Sequence, residues 1–448
     1  MNEIATAPIL ADKTDFIPKE DYISREFARR EKERMWPRVW LVACREEELT
    51  EPGKFVTFDI ADESIIVTRD GAGALRAFFN VCPHRGRRLT KGCGLTAKFY
   101  CNYHGWQWNL DGSNKVMIDG GDWTGIGPDD VGLRPVRLDT WGGFVFVNID
   151  GQAQPLLDFL HPWPEMWESF RLQDMRYRWF KTTRLNCNWK VALEAFLEGY
   201  HAQTTHRQVN PACGENRWEC RTFGRHSMFY DANPESVGAP NPNLQYLPEL
   251  GAEAFTGIDD RRERIYRYLK TVAGDLNCLF TDRMVEAARR LPERVPADCD
   301  DATLMGAFMT LHLEIAKRDG VDLSHLPLED FGALGTDWNM FPNLAILPTL
   351  DGLLIYRARP DGDDPDSCLF DIFPLERFAP GLAPRVVREF YDDWRDGAFP
   401  RIFVQDFENV DEVQRGMKSS AFPGSLSNPR AEKVVWNLHR EIREMILG

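Results

Sequence analysis

Four residues between positions 82 and 104 have the types and the spacing to hold a metal centre. In NVCPHRGRRLTKGCGLTAKFYCNYHGWQW, Cys82 and His84 form a Cys-x-His pair and Cys101 and His104 a Cys-x2-His pair. Sixteen residues separate His84 from Cys101, enough to place the pairs on two neighbouring hairpin loops that grip one small centre from both sides. Two thiolates can hold one iron of a two-iron cluster and two imidazoles the other. A structural zinc site is the alternative chemistry. Zinc modules, however, pair Cys with Cys and His with His, whereas each loop here offers one of each.

A second set lies in NWKVALEAFLEGYHAQTTH, residues 188–206. His201 and His206 are five apart, and Glu198 lies three before His201. On a regular helix Glu194, Glu198 and His201 share one face, at i, i+4 and i+7. His206 falls off that face, so both histidines bind one metal only if the helix breaks after about residue 201. Gly199, Thr204 and Thr205 are the candidates for that distortion. Two imidazoles and one carboxylate leave positions open for O2, the arrangement of a non-haem Fe(II) oxygenase. The carboxylate must come from elsewhere in the chain.

The elements that must position these residues follow from patterning. Residues 20–36 read as an amphipathic helix, and short strands follow at 40–44, 54–60, 63–69, 75–81 and 142–149. Pro52-Gly53, Asp62 and Asp70-Gly71 mark the turns between them. An antiparallel β domain is therefore expected over 38–155, carrying both Cys/His loops. A helical segment over 1–37 precedes it and packs on the second domain. Residues 156–448 read as α+β, with helices at 186–206, through 258–318, and at 384–396, 405–418 and 430–447. Its strands are expected at 343–349, 352–358 and 367–375.

Composition bounds the partners. At 448 residues the chain is too long for one ordinary core. A net charge of −15 argues against nucleic acid or an anionic membrane surface as partner. No run of eighteen apolar residues occurs, and the N-terminus lacks a basic, then apolar, leader, so a cytoplasmic location is expected. Ten cysteines are spread along the chain. Apart from Cys82 and Cys101, they (Cys44, Cys93, Cys187, Cys213, Cys220, Cys278, Cys299 and Cys368) read as reduced and buried. No Gly-rich dinucleotide fingerprint occurs, so NAD(P)H would act only through a separate reductase.

Both constellations together resemble the Rieske non-haem iron oxygenases, in the catalytic (alpha) subunit of the aromatic-ring-hydroxylating family. Respiratory-chain Rieske proteins add a cysteine to each loop, where this chain has Arg87 and Tyr103. They also place hydroxyl donors where this chain has Trp106 and Trp108, so a low-potential centre of the oxygenase branch is expected. The resemblance implies that Cys82, His84, Cys101 and His104 hold a [2Fe-2S] cluster and that His201, His206 and Asp406 hold mononuclear Fe(II). Asp406 in VQDFENVDEVQRGM matches the family's aspartate, followed by Asp411, Gln414 and Gly416; Glu408 and Asp411 are its competitors.

Glu198 stands where most ring-hydroxylating members carry Asp. The resemblance implies that it bridges His201 to His104 across a subunit interface. A Glu here also occurs in branches acting on quaternary amines. The fold implied is a Rieske antiparallel β domain inserted in a helix-grip (START-like) catalytic domain. Phe196, Phe341, Leu344 and Ile346 are candidates for its pocket. The partners implied are a ferredoxin or flavin reductase, O2 and a small apolar substrate, aromatic or polycyclic given the 28 phenylalanines. Monooxygenation or N- or O-demethylation is the alternative reaction, and an electron carrier without oxygenase activity the alternative class. A homotrimer is implied, and some members add a beta subunit. The exposed-looking Arg85, Arg87, Arg88 and Lys91 would either steer an acidic electron donor or tie the loop to its neighbours.

Overall fold

Turn residues cut the first third of the chain into short antiparallel strands, as the patterning predicts. The computed structural model describes residues 15–208, 217–232, 257–326, 328, 331–397 and 399–448. Cys213 and the first fourteen residues of the expected N-terminal segment lie outside them. The chain divides into two units: Arg29–Asp174 with Asp361–Asp363, and the segments ending at Ala28, Met175–Pro360 and Asp364–Gly448.

The Arg29–Asp174 unit holds three small sheets. Leu75–Phe79, Glu63–Arg69, Lys54–Ile60 and Cys93–Leu95 form one, in that order. Phe99–Tyr100, Gln107–Trp108 and Asn114–Val116 form the second, and Arg137–Trp141, Phe144–Asn148 and Leu41–Arg45 the third. The core under the two Cys/His loops is Phe55, Ile66, Phe78, Phe99, Trp106 and Trp108. Burying a side chain such as Phe99 contributes roughly 1.5–3 kcal/mol, and the Trp108 indole N–H is satisfied by Val131 O at 2.8 Å.

In the second unit one sheet runs Trp218–Phe223, His226–Asp231, Asp337–Met340, Leu344–Pro348, Gly352–Asp361, Asp364–Ile372, Phe180–Leu185 and Arg388–Tyr391. Helices Trp189–Glu194, Arg401–Met417 and Lys433–Leu447 belong to this α+β unit. Arg261–Leu276, Asp282–Arg289 and Asp301–Arg318 pack around a core of their own. Among the described residues no helix is long and apolar enough to cross a membrane.

Three expectations are corrected. The helix expected over 384–396 is a strand, Arg388–Tyr391, pairing in parallel with Phe180–Leu185, followed by a short 3-10 turn at Trp394–Asp396. Interleaved charges imitate a helix there, but Val386, Val387, Phe390 and Tyr391 favour an edge strand. The helix expected over 186–206 ends at Glu194, before Glu198, and resumes only at Ala202–Thr205. Of the cysteines read as buried, Cys93 is exposed and Cys220 and Cys299 are half-buried.

The helix that starts with Glu20 is tied to the C-terminal helix by buried charges. His439, 2 % exposed, has Nδ1 3.1 Å from Asp21 Oδ2 and Nε2 2.6 Å from Glu194 Oε1. Arg443 also donates to Asp21, and Tyr22 OH donates to Glu194 at 3.0 Å. Burial opposes a charged imidazole, but Glu194 and Asp21 outweigh it and raise the His439 pKa. A raised folded value means this stabilisation is fully present below the ordinary 6.5 and is lost as pH rises through the raised value. His439→Gln is therefore expected to melt below the parent protein in acid, with the gap narrowing in alkali. A gap independent of pH would show that protonated His439 is not what the clamp depends on.

Candidate metal centres

The two Cys/His loops are near copies in their backbone. Gly86 N–H donates to Cys82 O and Gly105 N–H to Cys101 O, each at 3.0 Å. Both turns end on a glycine with positive φ, +74° at Gly86 and +78° at Gly105, which only a residue without Cβ adopts cheaply. Each turn is closed by a second bond, Cys82 N to Arg87 O and Cys101 N to Trp106 O. The histidine sits one place later in the second turn.

This geometry brings all four predicted residues together. Cys82 and Cys101 are buried and free, and the imidazoles of His84 and His104 lie 4.4 Å apart between centroids. Both Nδ1 atoms are buried with no hydrogen-bond partner. Burial and the neighbouring Cys101 thiol raise the Cys82 pKa. Two thiols and two orphaned ring nitrogens facing inward fit a His2Cys2 cluster, which would take up all four. Trp106 stacks on His84 at 5.2 Å and 14°, and Trp123 meets the same ring edge-on. Trp106 thus covers His84 where the sequence has no hydroxyl donor, and Trp108 packs behind it at 6.5 Å. Arg85, Arg87, Arg88 and Lys91 are all exposed, Arg88 within 3.7 Å of Asp59.

The second site depends on where the helix stops. Gly199 is in close contact with Trp218: a Cβ there would lie 2.5 Å from the indole, so no larger residue fits. Glu198 then caps the next turn. Its Oε2 accepts the backbone N–H of His201 at 3.0 Å and that of Tyr200, while Oε1 lies 2.6 Å from His201 Nδ1. The early break replaces the single helical face expected for Glu194, Glu198 and His201. Glu194 points to His439 and Tyr22 instead.

On the Arg401–Met417 helix the buried stripe reads Ile402, Phe403, Asp406, Phe407, Val410, Asp411, Gln414 and Met417. Asp406 is 2 % exposed, and its Oδ1 lies 3.6 Å from His201 Nε2 and 3.3 Å from His206 Nε2. The competitors are placed elsewhere: Glu408 faces solvent, and Asp411 pairs with Arg395 at 3.0 Å. One ligand atom from each of His201, His206 and Asp406 lies within 4.8 Å of the other two.

Hydrogen-bond chemistry decides what this cluster wants. His201 Nδ1 faces Glu198, and His206 Nδ1 faces Gln405 Oε1 at 3.1 Å. Gln405 is itself oriented by paired amide bonds with Gln208. Acceptors at both Nδ1 atoms fix the Nδ1–H tautomer and turn both Nε2 lone pairs toward Asp406. Both Asp406 oxygens are buried without a hydrogen-bond donor. A carboxylate and two lone pairs converging without a proton donor fit a cation. Burial resists protonation of His201, yet Glu198 and Asp406 push its pKa up to about 9. A metal ion would take the place of that proton. A cleft of about 510 Å³, lined by Glu194, Glu198, His201, Asp406 and Glu432, reaches the site from outside.

Gln405 was not distinguished by sequence reasoning, although it adjoins Asp406. Of the four pocket candidates, Phe196 stacks on Tyr356 at 3.9 Å on the metal side of the sheet. Leu344 and Ile346 flank Ala345, the residue paired with Tyr356, and so point to the opposite face.

Comparison with known proteins finds a family match over each of the two regions. Residues 171–448, more than half of the chain, match the ring hydroxylating alpha subunit (catalytic domain), and residues 39–117 match the Rieske [2Fe-2S] domain. The carnitine monooxygenase oxygenase subunit of Escherichia coli (strain K12) is 31 % identical over 48 % of this chain and 58 % of its own length. The anthranilate 1,2-dioxygenase large subunit of Acinetobacter baylyi (strain ATCC 33305 / BD413 / ADP1) is 32 % identical over 44 % and 46 %. The matched stretch thus spans about half the length of these curated relatives. The quaternary ammonium Rieske monooxygenase CntA in complex with L-carnitine superposes with a TM-score of 0.63 over 96 % of this chain and 95 % of that one, at 17 % identity, a likeness of fold.

Proposed function

The chain belongs to the family of ring-hydroxylating alpha subunits, and from that premise we propose that it is the oxygenase component of a Rieske non-haem iron system acting on a quaternary-ammonium substrate. The observation that carries the reading is the convergence of His201, His206 and Asp406, with both Asp406 oxygens buried and engaged in no hydrogen bond. In it Cys82, His84, Cys101 and His104 hold the [2Fe-2S] cluster, and the triad holds Fe(II). When bound, the cluster supplies single electrons and the iron supplies the O2 chemistry. Glu198 and Gln405 hold the two imidazoles in the metal-binding tautomer. The packed rings of Phe196, Tyr356 and Phe370 keep water from the sheet side.

The substrate class rests on Glu198, one methylene longer than the family's usual Asp, and on the carnitine-oxidising relative. Aromatic hydroxylation is the second reading, favoured by the anthranilate relative. Electrons would come from NAD(P)H through a reductase, with or without a ferredoxin, docking at Arg85, Arg87, Arg88 and Lys91. In a trimer Glu198 would face His104 of a neighbouring subunit.

Two measurements test this. Purified holoprotein is expected to hold about three iron per chain, against about two for a carrier without oxygenase activity. Supplied with reductase, NADH and O2, it should oxidise a trimethylammonium compound. Two iron per chain would sink the oxygenase reading; a hydroxylated aromatic as the sole product would sink the substrate class.

A further inference from the structure

The geometry points to Asp337 as the anionic group that selects a cationic substrate, with Asn339 and Ser227 beside it accepting hydrogen bonds from the substrate's polar substituent. This rests on the quaternary-ammonium reading above and adds the residue that reads the charge.

Register places these residues on the metal side of the sheet. Ser227 pairs with Asn339, Asn339 with Ala345, and Ala345 with Tyr356, so the four form one cross-strand row on one face. Tyr356 identifies that face. It stacks on Phe196, two residues before Glu198, and meets Phe403, three before Asp406, edge-on at 6.0 Å. Asp337 lies two residues before Asn339 and therefore on the same face. Ala345 is the small member of the row, between Asn339 and the tyrosine ring.

These polar groups are buried yet poorly answered. Asp337 is 2 % exposed, and Asn339 and Ser227 are fully buried. Asp337 is met by the backbone N–H groups of Ile346, at 3.2 Å, and Trp338. Among the described residues no lysine, arginine or histidine pairs with it. The sheet's own arginines do not help: Arg357 adjoins Tyr356 and so lies on the opposite face, where it and Arg359 are committed to Asp371. Asn339 spends its Nδ2 on Leu344 O, which leaves Oδ1 without a donor, and Ser227 Oγ has no partner. Burial raises the Asp337 pKa well above the usual carboxylate range. A buried carboxyl without a cation is costly and marks a site where a ligand completes the balance. The complement of a carboxylate flanked by acceptor oxygens is a cation that also carries a hydroxyl. A fixed trimethylammonium charge would hold Asp337 ionised without a proton to share.

The test is equilibrium binding to the anaerobic, iron-loaded holoenzyme by calorimetry. The probes are choline, carnitine and 3,3-dimethylbutan-1-ol, the uncharged carbon isostere of choline. The parent protein is expected to bind choline or carnitine at least about ten-fold more tightly than the alcohol. Asp337→Asn, which keeps an oxygen for the Ile346 N–H, should lose that preference while binding the alcohol as before. Asp337→Glu should retain the preference. A merely structural Asp337 predicts an unchanged ratio in the Asn variant, and that result would overturn the assignment while leaving the function standing. An Asn variant that does not fold would likewise assign Asp337 to the core. A parent protein that binds neither cation would overturn the quaternary-ammonium reading and this inference together.

Discussion

Asp406→Ala protein is expected to purify with about two iron per chain instead of about three, its cluster spectrum intact and its turnover abolished. The cause is local. Asp406 supplies the sole carboxylate among the three converging ligands, and both its oxygens lack any other partner. Removing it leaves two neutral imidazoles, a site too weak to hold ferrous iron against buffer. Changes one layer further out, at the groups that orient metal ligands, typically cost ~10–100-fold in affinity or activity, and loss of a ligand exceeds that. Iron content that stays at three would transfer the ligand role to another carboxylate and refute the assignment.

Glu198→Gln is expected to do the reverse: iron stays near the parent level while turnover falls about 100-fold. An amide can still offer one oxygen to His201 Nδ1, so the triad persists. It cannot also accept the backbone N–H groups of Tyr200 and His201, which Glu198 Oε2 now takes. Nor can it carry the charge that would link His201 to a cluster ligand in a neighbouring subunit. In rapid mixing with O2 and substrate, the reduced cluster should then stay reduced. Reoxidation at the parent rate would exclude Glu198 from electron transfer. A second signature separates charge from shape. Glu198 is a main cause of the His201 pKa near 9. Without it that value falls toward the ordinary 6.5, so fewer protons leave when iron binds between those two pH values.

The two metal sites were not equally legible in the sequence. Cys82, His84, Cys101 and His104 could be read outright because their geometry is local, two short turns on adjacent hairpins. His201 and His206 could be paired only by supposing a break in the helix. The break comes earlier than expected: the helix stops at Glu194, and Gly199, in the stretch that follows, lies against Trp218, nineteen residues away and invisible to spacing. Asp406 lies two hundred residues further on, and only the resemblance reached it. A signal was nonetheless present: acidic residues fall in the apolar stripe of the helix, at 406 and 411, where solvated charges do not belong. The error at Leu344 and Ile346 was one of parity, since a run buried on both faces carries no alternation to tell inside from outside. Asp337 escaped for the same reason. The strand over 384–396 was lost to charges spaced as on a helix.

The pairing of segments four hundred residues apart has a consequence for how the protein is made. Phe16–Pro18 pairs with Gly424–Leu426, and Asp21 closes on His439 and Arg443. The unit that carries the triad therefore cannot be completed until Lys433–Leu447 has been made. The Arg29–Asp174 unit draws almost wholly on residues made far earlier. At ~5–20 residues per second, translation leaves roughly 15–55 s between the two events. The four Cys/His side chains are thus in place early in that interval, whereas His201 and His206 gain Asp406 only once Arg401–Met417 has been made.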